Sequence, residues 1–125
     1  VHGEHVYEVC VFGLVVHNAC NEWNAFQQMY KGQLGSSSEA AAVWRAWSKG
    51  TFPTKLDSII YHFGKHGNGR TLTQYTDDAI SFLRTNSSAA SWGVWNPNWA
   101  ASFKLKIPPQ GGYFDSLGRI LTYWD

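Results

Sequence analysis

Cysteine, proline and methionine are scarce in this 125-residue chain, which contains two, four and one of them. Both cysteines, Cys10 and Cys20, lie near the N-terminus, so a disulfide framework is excluded and thiolate ligation of a metal is not expected. We expect no signal peptide, and no apolar run approaches the length of a membrane span. We therefore expect one compact domain with no membrane segment, exported only if a segment outside this sequence exports it.

The chain also lacks an excess of charge of either sign, because it contains ten Lys and Arg residues and nine Asp and Glu residues, for a net charge of +1. This balance excludes a protein that holds nucleic acid by bulk electrostatics. An anionic substrate must instead be held by a local pocket. Aromatic residues are abundant at 16%, with seven tryptophans, and such residues fill a core or form a binding surface.

The hydrophobic pattern changes from helical to extended along the chain. Residues 5–11 and 14–17 are rich in β-formers and predict a short hairpin. Helical spacing follows in four segments: 21–31, the stretch from the Ser36–Glu39 capping box to Gly50, about 57–66, and 74–83. Short strands separated by turn residues complete the chain at 92–95, 102–107, 112–114 and 119–124. The expected fold is α+β, with N-terminal helices packed on a C-terminal antiparallel sheet.

The same pattern predicts which side chains are buried. Trp44 and Trp47 are expected to pack inward from the second helix. The third helix should bury a stripe of Leu56, Ile59, Ile60 and Phe63. The fourth helix should be capped by Thr73 and should bury Ala79, Phe82 and Leu83.

The segment Val15-Val16-His17-Asn18 resembles the last strand of a Hint domain, the self-processing module of inteins and many bacterial toxins. By this resemblance the Asn18 amide attacks its own carbonyl while His17 assists by proton transfer, and the chain breaks after Asn18. Ala19 follows instead of a nucleophile, which favours cleavage without ligation, and the final hairpin alone cannot process itself. The alternative is an ordinary β-hairpin. The predicted organisation is a processing remnant (1–18), a helical lead-in (19–54) and a catalytic core (55–125).

The densest chemistry lies in residues 61–75. His62 and His66 are four apart and share a helix face, with Lys65 beside them. Arg70 follows across a Gly-rich turn. A ribonuclease that cleaves through the ribose 2′-hydroxyl needs a base, an acid and cationic groups on the phosphate, and this segment offers all three.

That segment, together with Gly112–Asp115 and Gly118–Trp124, resembles the C-terminal toxin domains of Rhs and contact-dependent-inhibition proteins. The shared features are a His-Phe-x-Lys-His-Gly block, a helix with Tyr75, Ala79 and Phe82, and a closing Gly-x-Ile-x-Thr-aromatic strand. Such domains are similar to the fold group of barnase, EndoU, colicin D and RelE. The resemblance implies a secreted bacterial toxin whose effector domain is a metal-independent endoribonuclease without a cofactor.

The resemblance also implies roles for single residues. His62 and His66 would be the general base and acid, in either order, and Lys65 would hold phosphate beside them. Thr122 and Tyr123 complete the expected catalytic set, and the expected substrate-binding set is Arg70, Thr73, Tyr75, Lys104, Lys106, Tyr113 and Arg119. Structural alternatives stay open: solvated strand lysines, a plain sheet-forming Thr122, and a His66 favoured by the helix dipole.

Two other functions remain open from the residues. His62 and His66 form an HxxxH pair that could serve a metal nuclease, although Phe63 stands where such an enzyme carries a catalytic Glu. A zinc deaminase is disfavoured because its His-x-Glu and Pro-Cys-x-x-Cys signatures are missing. A non-enzymatic binding module would use the aromatic residues. The partners implied by the toxin resemblance are an RNA substrate, with tRNA among the candidates, and a cognate immunity protein. The free domain is expected to be a monomer, delivered by a larger toxin to the target-cell cytoplasm.

Overall fold

The computed structural model describes residues 18–125. The predicted hairpin and His17 lie outside the described residues. Four helices come first: α1 (Asn18–Met29), α2 (Ser37–Ala46), α3 (Lys55–His66) and α4 (Leu72–Asn86). A 3₁₀ turn at Ser87–Ala89 leads to the strands β1 (Ser91–Gly93), β2 (Ser102–Ile107), β3 (Gln110–Phe114) and β4 (Ile120–Trp124). The strands form one antiparallel sheet in the order β1-β2-β3-β4, which confirms the predicted α+β fold with helices before the sheet.

Side chains at the helix starts explain where three of the helices begin. Ser36 forms the predicted capping box, since its hydroxyl accepts from the Glu39 amide and its own amide donates to the Glu39 carboxylate. Thr54 caps α3. The prediction that Thr73 caps α4 is wrong: Thr71 does so, because Gln74 stands three residues later and completes a second capping box.

One core joins the helices to the inner face of the sheet. Trp47, Tyr75, Phe114, Ile120 and Tyr123 are among its fully buried side chains. The cluster draws on residues from 23 to 47 as well as from 56 to 123, so the helical lead-in packs into the same core as the rest. Inward packing is confirmed for Trp47, while Trp44 is partly buried against the core.

The predicted buried stripe of α3 is wrong at one position. Leu56 and Ile59 are buried and Phe63 is partly buried, but Ile60 is 38% exposed and His62 is only 8% exposed. The stripe therefore runs through residues 56, 59 and 62–63, as a helix with 3.6 residues per turn requires. Histidine takes the place that an aliphatic side chain was expected to fill.

The two faces of the sheet differ because side chains alternate along each strand. Leu105, Phe114, Ile120 and Tyr123 point inward and are buried. On the opposite side, which we call the outer face, the register places Lys104, Tyr113 and Thr122 in one row across three strands. Lys106, Gly111 and Trp124 form the next row. Cross-strand partners in a row lie side by side on the same face.

The edge of β4 that does not pair with β3 is covered by the segment that follows α2. Trp47 forms a parallel bridge with Ile120, and the Ser48 amide donates to the Ile120 carbonyl at 2.9 Å. This contact brings the loop of residues 48–54 beside β4. Among the described helices, none is long and apolar enough to cross a membrane.

Candidate active site

A cavity of about 330 Å³ lies where α3, β4 and two loops meet. Tyr61 and His62 line it from α3, Thr122 lines it from β4, and Thr51 and Trp99 line it from the loops. We call this space the His62 cavity. Its position follows from the edge contact of β4, which holds the 48–54 loop against the strand.

His62 is held in the wall of this cavity by aromatic rings. Its imidazole stacks on Trp47 at 6.2 Å between ring centroids, and Phe52 and Tyr61 meet it edge-on at 5.6 and 5.1 Å. Its Nδ1 atom is buried and has no hydrogen-bond partner among the described residues. Buried polar atoms are almost always paired, so this unpaired nitrogen is an unusual feature of the packing around His62.

Burial sets the charge of His62. Desolvation, with smaller contributions from the positive charges of His66 and Lys65, lowers the pKa of His62 to about 4. The ring is therefore neutral at neutral pH and able to accept a proton. An anion in the cavity would raise this pKa, because a nearby negative charge favours the protonated form.

The neighbours of His62 on α3 have different environments. His66 is partly exposed, and burial and Lys65 lower its pKa while Asp125 opposes the shift. It does not line the His62 cavity. Lys65 is exposed, with its Nζ 3.4 Å from the Tyr61 hydroxyl and 5.5 Å from the centre of the Tyr61 ring.

Arg70, which was predicted to hold phosphate, makes an extensive set of contacts within the protein. Its guanidinium makes five hydrogen bonds, two to Asp125, one to Asp78 and one each to the carbonyls of His66 and Gly67. Arginine has five N–H donors, so all of them are used. The side chain ties the end of β4 to the end of α3 and to α4.

Three other residues predicted to act on substrate make contacts that hold the fold together. Tyr75 is fully buried, and its hydroxyl donates to the Tyr123 carbonyl. The Tyr123 ring is also fully buried, with its hydroxyl bonded to Gln110 and Asp125. Thr73 donates to the Gln33 carbonyl at 3.0 Å. These contacts join α4 to β4 and to the loop after α1, and the substrate roles expected for the three residues remain predictions.

The outer face gathers several of the other predicted residues. Lys104, Lys106, Tyr113 and Thr122 all lie on it, as the alternation along the strands predicted for the two lysines. Three tryptophans that the sequence analysis did not single out lie there with them: Trp95, Trp99 and Trp124. Trp99 meets Tyr113 edge-on at 5.1 Å, and Tyr113 lies 6.1 Å from Trp124. We call Trp95, Trp99, Tyr113 and Trp124 the aromatic face.

The lysines lie against these rings. The Nζ of Lys104 is 4.4 Å from the centre of the Trp95 ring, and that of Lys106 is 5.9 Å from Trp124, both within cation–π range. Trp124 reaches Lys106 across Gly111, where a Cβ atom would collide with the indole. The sequence contained a usable signal for Trp124, because the paired glycines Gly111-Gly112 lie beside an alternating strand. It contained no such signal for Trp95 and Trp99, which flank a turn without periodicity.

A second cavity, of about 290 Å³, adjoins the first. It shares Thr51, Trp99 and two further lining residues with the His62 cavity, and Arg119 lines its far side. The Nε of Arg119 pairs with Asp115 at 2.7 Å, and its terminal nitrogens have no partner within residues 18–125. Arg119 can therefore still bind an anion, as predicted for it.

Metal ligands do not converge in the part of the chain that the structure describes. Within residues 18–125 no three His, Cys, Asp or Glu side chains lie close enough together to hold a metal ion. The HxxxH alternative would need a further ligand from elsewhere. The His62 cavity offers a neutral imidazole and hydroxyl groups, and Arg119 lines the cavity beside it.

Comparison with known proteins gives one similarity. The chain is 33% identical over 86 residues to the "tRNA(Glu)-specific nuclease WapA" of Bacillus subtilis subsp. natto (strain BEST195). The match covers 66% of this chain but spans only 4% of the length of that relative. No family model matches the chain, and no solved structure matches it.

Proposed function

We propose that this domain is an endoribonuclease that cleaves RNA by attack of a ribose 2′-hydroxyl on the adjacent phosphate, without a metal ion. The observation that carries the proposal is His62, a neutral histidine whose side chain lines an open cavity. A relative named as a tRNA-specific nuclease supports the same class of activity.

In this reaction His62 takes the proton from the 2′-hydroxyl. The 2′-oxygen forms a bond to phosphorus, and the bond from phosphorus to the 5′-oxygen of the next nucleotide breaks. The products are a 2′,3′-cyclic phosphate and a free 5′-hydroxyl. His62 suits the base role because it is unprotonated before substrate binds, and the phosphate charge raises its proton affinity as the reaction begins.

The leaving 5′-oxygen needs a proton, and Tyr61 is placed to supply it. Tyr61 lines the same cavity as His62, and Lys65 lies beside its hydroxyl, where a positive charge stabilises the phenolate that proton transfer leaves. The Thr122 hydroxyl can donate to a phosphate oxygen from the opposite wall. His66, one turn further along α3, is the alternative acid.

The test uses total bacterial RNA with purified protein in EDTA. The wild type should cleave the RNA, and His62→Phe should lower the rate by about 10²- to 10⁴-fold, the usual contribution of a general base. Phenylalanine suits the aromatic walls around position 62, so the variant should stay folded. Lys31→Gln, an exposed change near the end of α1, is the matched control and should cleave like wild type.

Other outcomes would point elsewhere. Loss of cleavage in EDTA, with recovery when a divalent metal is restored, would favour the metal nuclease. Intact RNA in every condition with folded protein would favour a binding module. An unchanged rate in His62→Phe would remove His62 from the mechanism.

We further propose that the domain is the effector of a secreted bacterial toxin, released after Asn18, active in the target-cell cytoplasm and neutralised by an immunity protein. The resemblance of residues 15–18 to a Hint ending supports this proposal, as does similarity to a small part of a much longer protein. Expression of residues 19–125 in a bacterial cytoplasm should arrest growth, and the His62→Phe form should not. Normal growth with active, folded wild-type protein would contradict the toxin proposal.

A further inference from the structure

We propose that the aromatic face binds unpaired nucleotides, so that the substrate is RNA that is single-stranded next to the cleaved bond. This inference rests on the proposed ribonuclease activity and adds the structural class of RNA to it. The aromatic face adjoins the His62 cavity, because Trp99 lines the cavity and contacts Tyr113.

The first support is the arrangement of the rings. The helices pack on the inner face of the sheet, where the core lies, whereas the aromatic face lies on the opposite side. Trp95 remains 37% exposed, and Trp99, Tyr113 and Trp124 are partly exposed. Tyr113 and Trp124 lie on strands, and Trp95 and Trp99 lie in the loop that connects β1 to β2. Tryptophan and tyrosine rings that water can reach suit stacking on the flat faces of bases.

The second support is the small number of positive charges near the aromatic face. Only Lys104 and Lys106 accompany the rings on β2, and the whole chain carries a net charge of +1. Proteins that hold duplexes through the backbone rely on many phosphate contacts. Stacking supplies affinity without such charge, but it requires base faces that a duplex keeps hidden between its own pairs.

The third support is the accommodation made for Trp124. The indole lies across Gly111, a position that leaves no room for a Cβ atom. Glycine inside a strand weakens the sheet and often marks a place where another group approaches closely. Here the glycine leaves room for the Trp124 ring, which lies 6.1 Å from the Tyr113 ring and 5.9 Å from the Nζ of Lys106.

The binding test uses a 12-nucleotide 2′-O-methyl RNA, which the proposed reaction cannot cleave, as a single strand and as a duplex with its complement. The single strand should bind at least about tenfold more tightly than the duplex. Trp124→Ala and Trp95→Ala should each weaken single-strand binding by about 5- to 150-fold, the effect of losing one stacked base. Trp92→Ala is the matched control, because Trp92 is 51% exposed on the same sheet but packs on Phe103 instead. It should change binding by less than about twofold.

Salt dependence provides a second readout that does not require loss of a ring. Each phosphate contact to a single strand contributes about −0.7 to the slope of log affinity against log salt, so Lys104→Gln with Lys106→Gln should reduce that slope by about 1.4. Equal binding of strand and duplex, or an equal loss in Trp92→Ala, would overturn the inference. So would no binding of either RNA, which would leave the aromatic face as a surface for a protein.

The outcomes separate this inference from the proposed activity. Cleavage that depends on His62 but is indifferent to Trp95 and Trp124 would keep the activity and discard the inference. If the protein binds the single strand through Trp95 and Trp124 but cleaves no RNA, the inferred binding surface is kept and the proposed activity is discarded.

Discussion

Acidification should destabilise this domain through His62. Burial lowers the pKa of His62 to about 4 in the folded protein, whereas the unfolded chain titrates near about 6.5. The unfolded state therefore binds more protons below that value, and protonation favours unfolding. The loss of stability begins as the pH falls below the unfolded pKa and is complete only below the folded one.

The size of the effect follows from the two pKa values. At about pH 5 the unfolded histidine is almost fully protonated and the folded one is about one-tenth protonated, which removes about 2 kcal/mol relative to neutral pH. Such a change lowers the melting temperature by roughly 5–15 °C for a domain of this size. His62 is only 8% exposed, so solvent screening leaves most of the effect in place.

His62→Phe should remove this contribution. Phenylalanine has no titrating group and can occupy the ring contacts with Trp47, Phe52 and Tyr61. It also removes the unpaired Nδ1 atom, whose burial costs about 1–3 kcal/mol. The variant should thus be at least as stable as wild type at neutral pH. Its advantage in the free energy of unfolding should grow by about 2 kcal/mol between neutral pH and about pH 5.

Urea unfolding followed by tryptophan fluorescence, at steps from about pH 7.5 to about pH 5, measures the difference directly. The other titrating groups are common to both proteins, so they cancel when the two stability curves are subtracted. Parallel curves across this range, or a wild type that gains stability on acidification, would refute the reasoning about His62.

Three further changes probe the framework around the site. Arg70→Met removes five hydrogen bonds and leaves Asp125 unpaired by its guanidinium, so urea unfolding should show a loss of about 2–4 kcal/mol; a loss as small as that of exposed Arg84→Met would contradict this. Gly111→Ala should cost about 1–3 kcal/mol by displacing Trp124, whereas Gly64→Ala, in a helix with open space beside it, should add about 0.5–1 kcal/mol; the reverse order in thermal unfolding would disprove the steric argument. Trp47→Phe should cost about 1–3 kcal/mol because it strands the buried Thr76 hydroxyl, and Trp47→Phe combined with Thr76→Val should recover part of that loss.

The elements were predictable from the sequence where local chemistry determines them. The capping box at Ser36 marks the start of α2, and the Gly-rich and Pro-containing turns separate strands that lie close to their expected places. The cap of α4 was misplaced by two residues because Thr71 and Thr73 are equally good cap residues. Only the position of Gln74 relative to them decides between the two.

The site was predictable only in part, because long-range contacts decide it. His62 was identified by its spacing, yet its burial could not be foreseen while Ile60 was the more hydrophobic candidate for the core. Arg70 was predicted to hold phosphate because the local sequence does not show that Asp125 is its partner. Asp125 lies 55 residues away. Tyr75 and Tyr123, which contact each other, are also far apart in the sequence, and no local pattern shows that such a tyrosine points inward.

The chemistry of the cleaved ends tests the central claim most directly. A defined single-stranded RNA and the same strand with 2′-O-methyl groups throughout are incubated with wild type and His62→Phe in EDTA, and the products are examined by mass spectrometry. The account predicts that wild type alone cleaves, that it cleaves only the unmodified strand, and that the products carry 2′,3′-cyclic phosphate and 5′-hydroxyl ends. Cleavage of the methylated strand, 5′-phosphate ends, or equal cleavage by His62→Phe would contradict it.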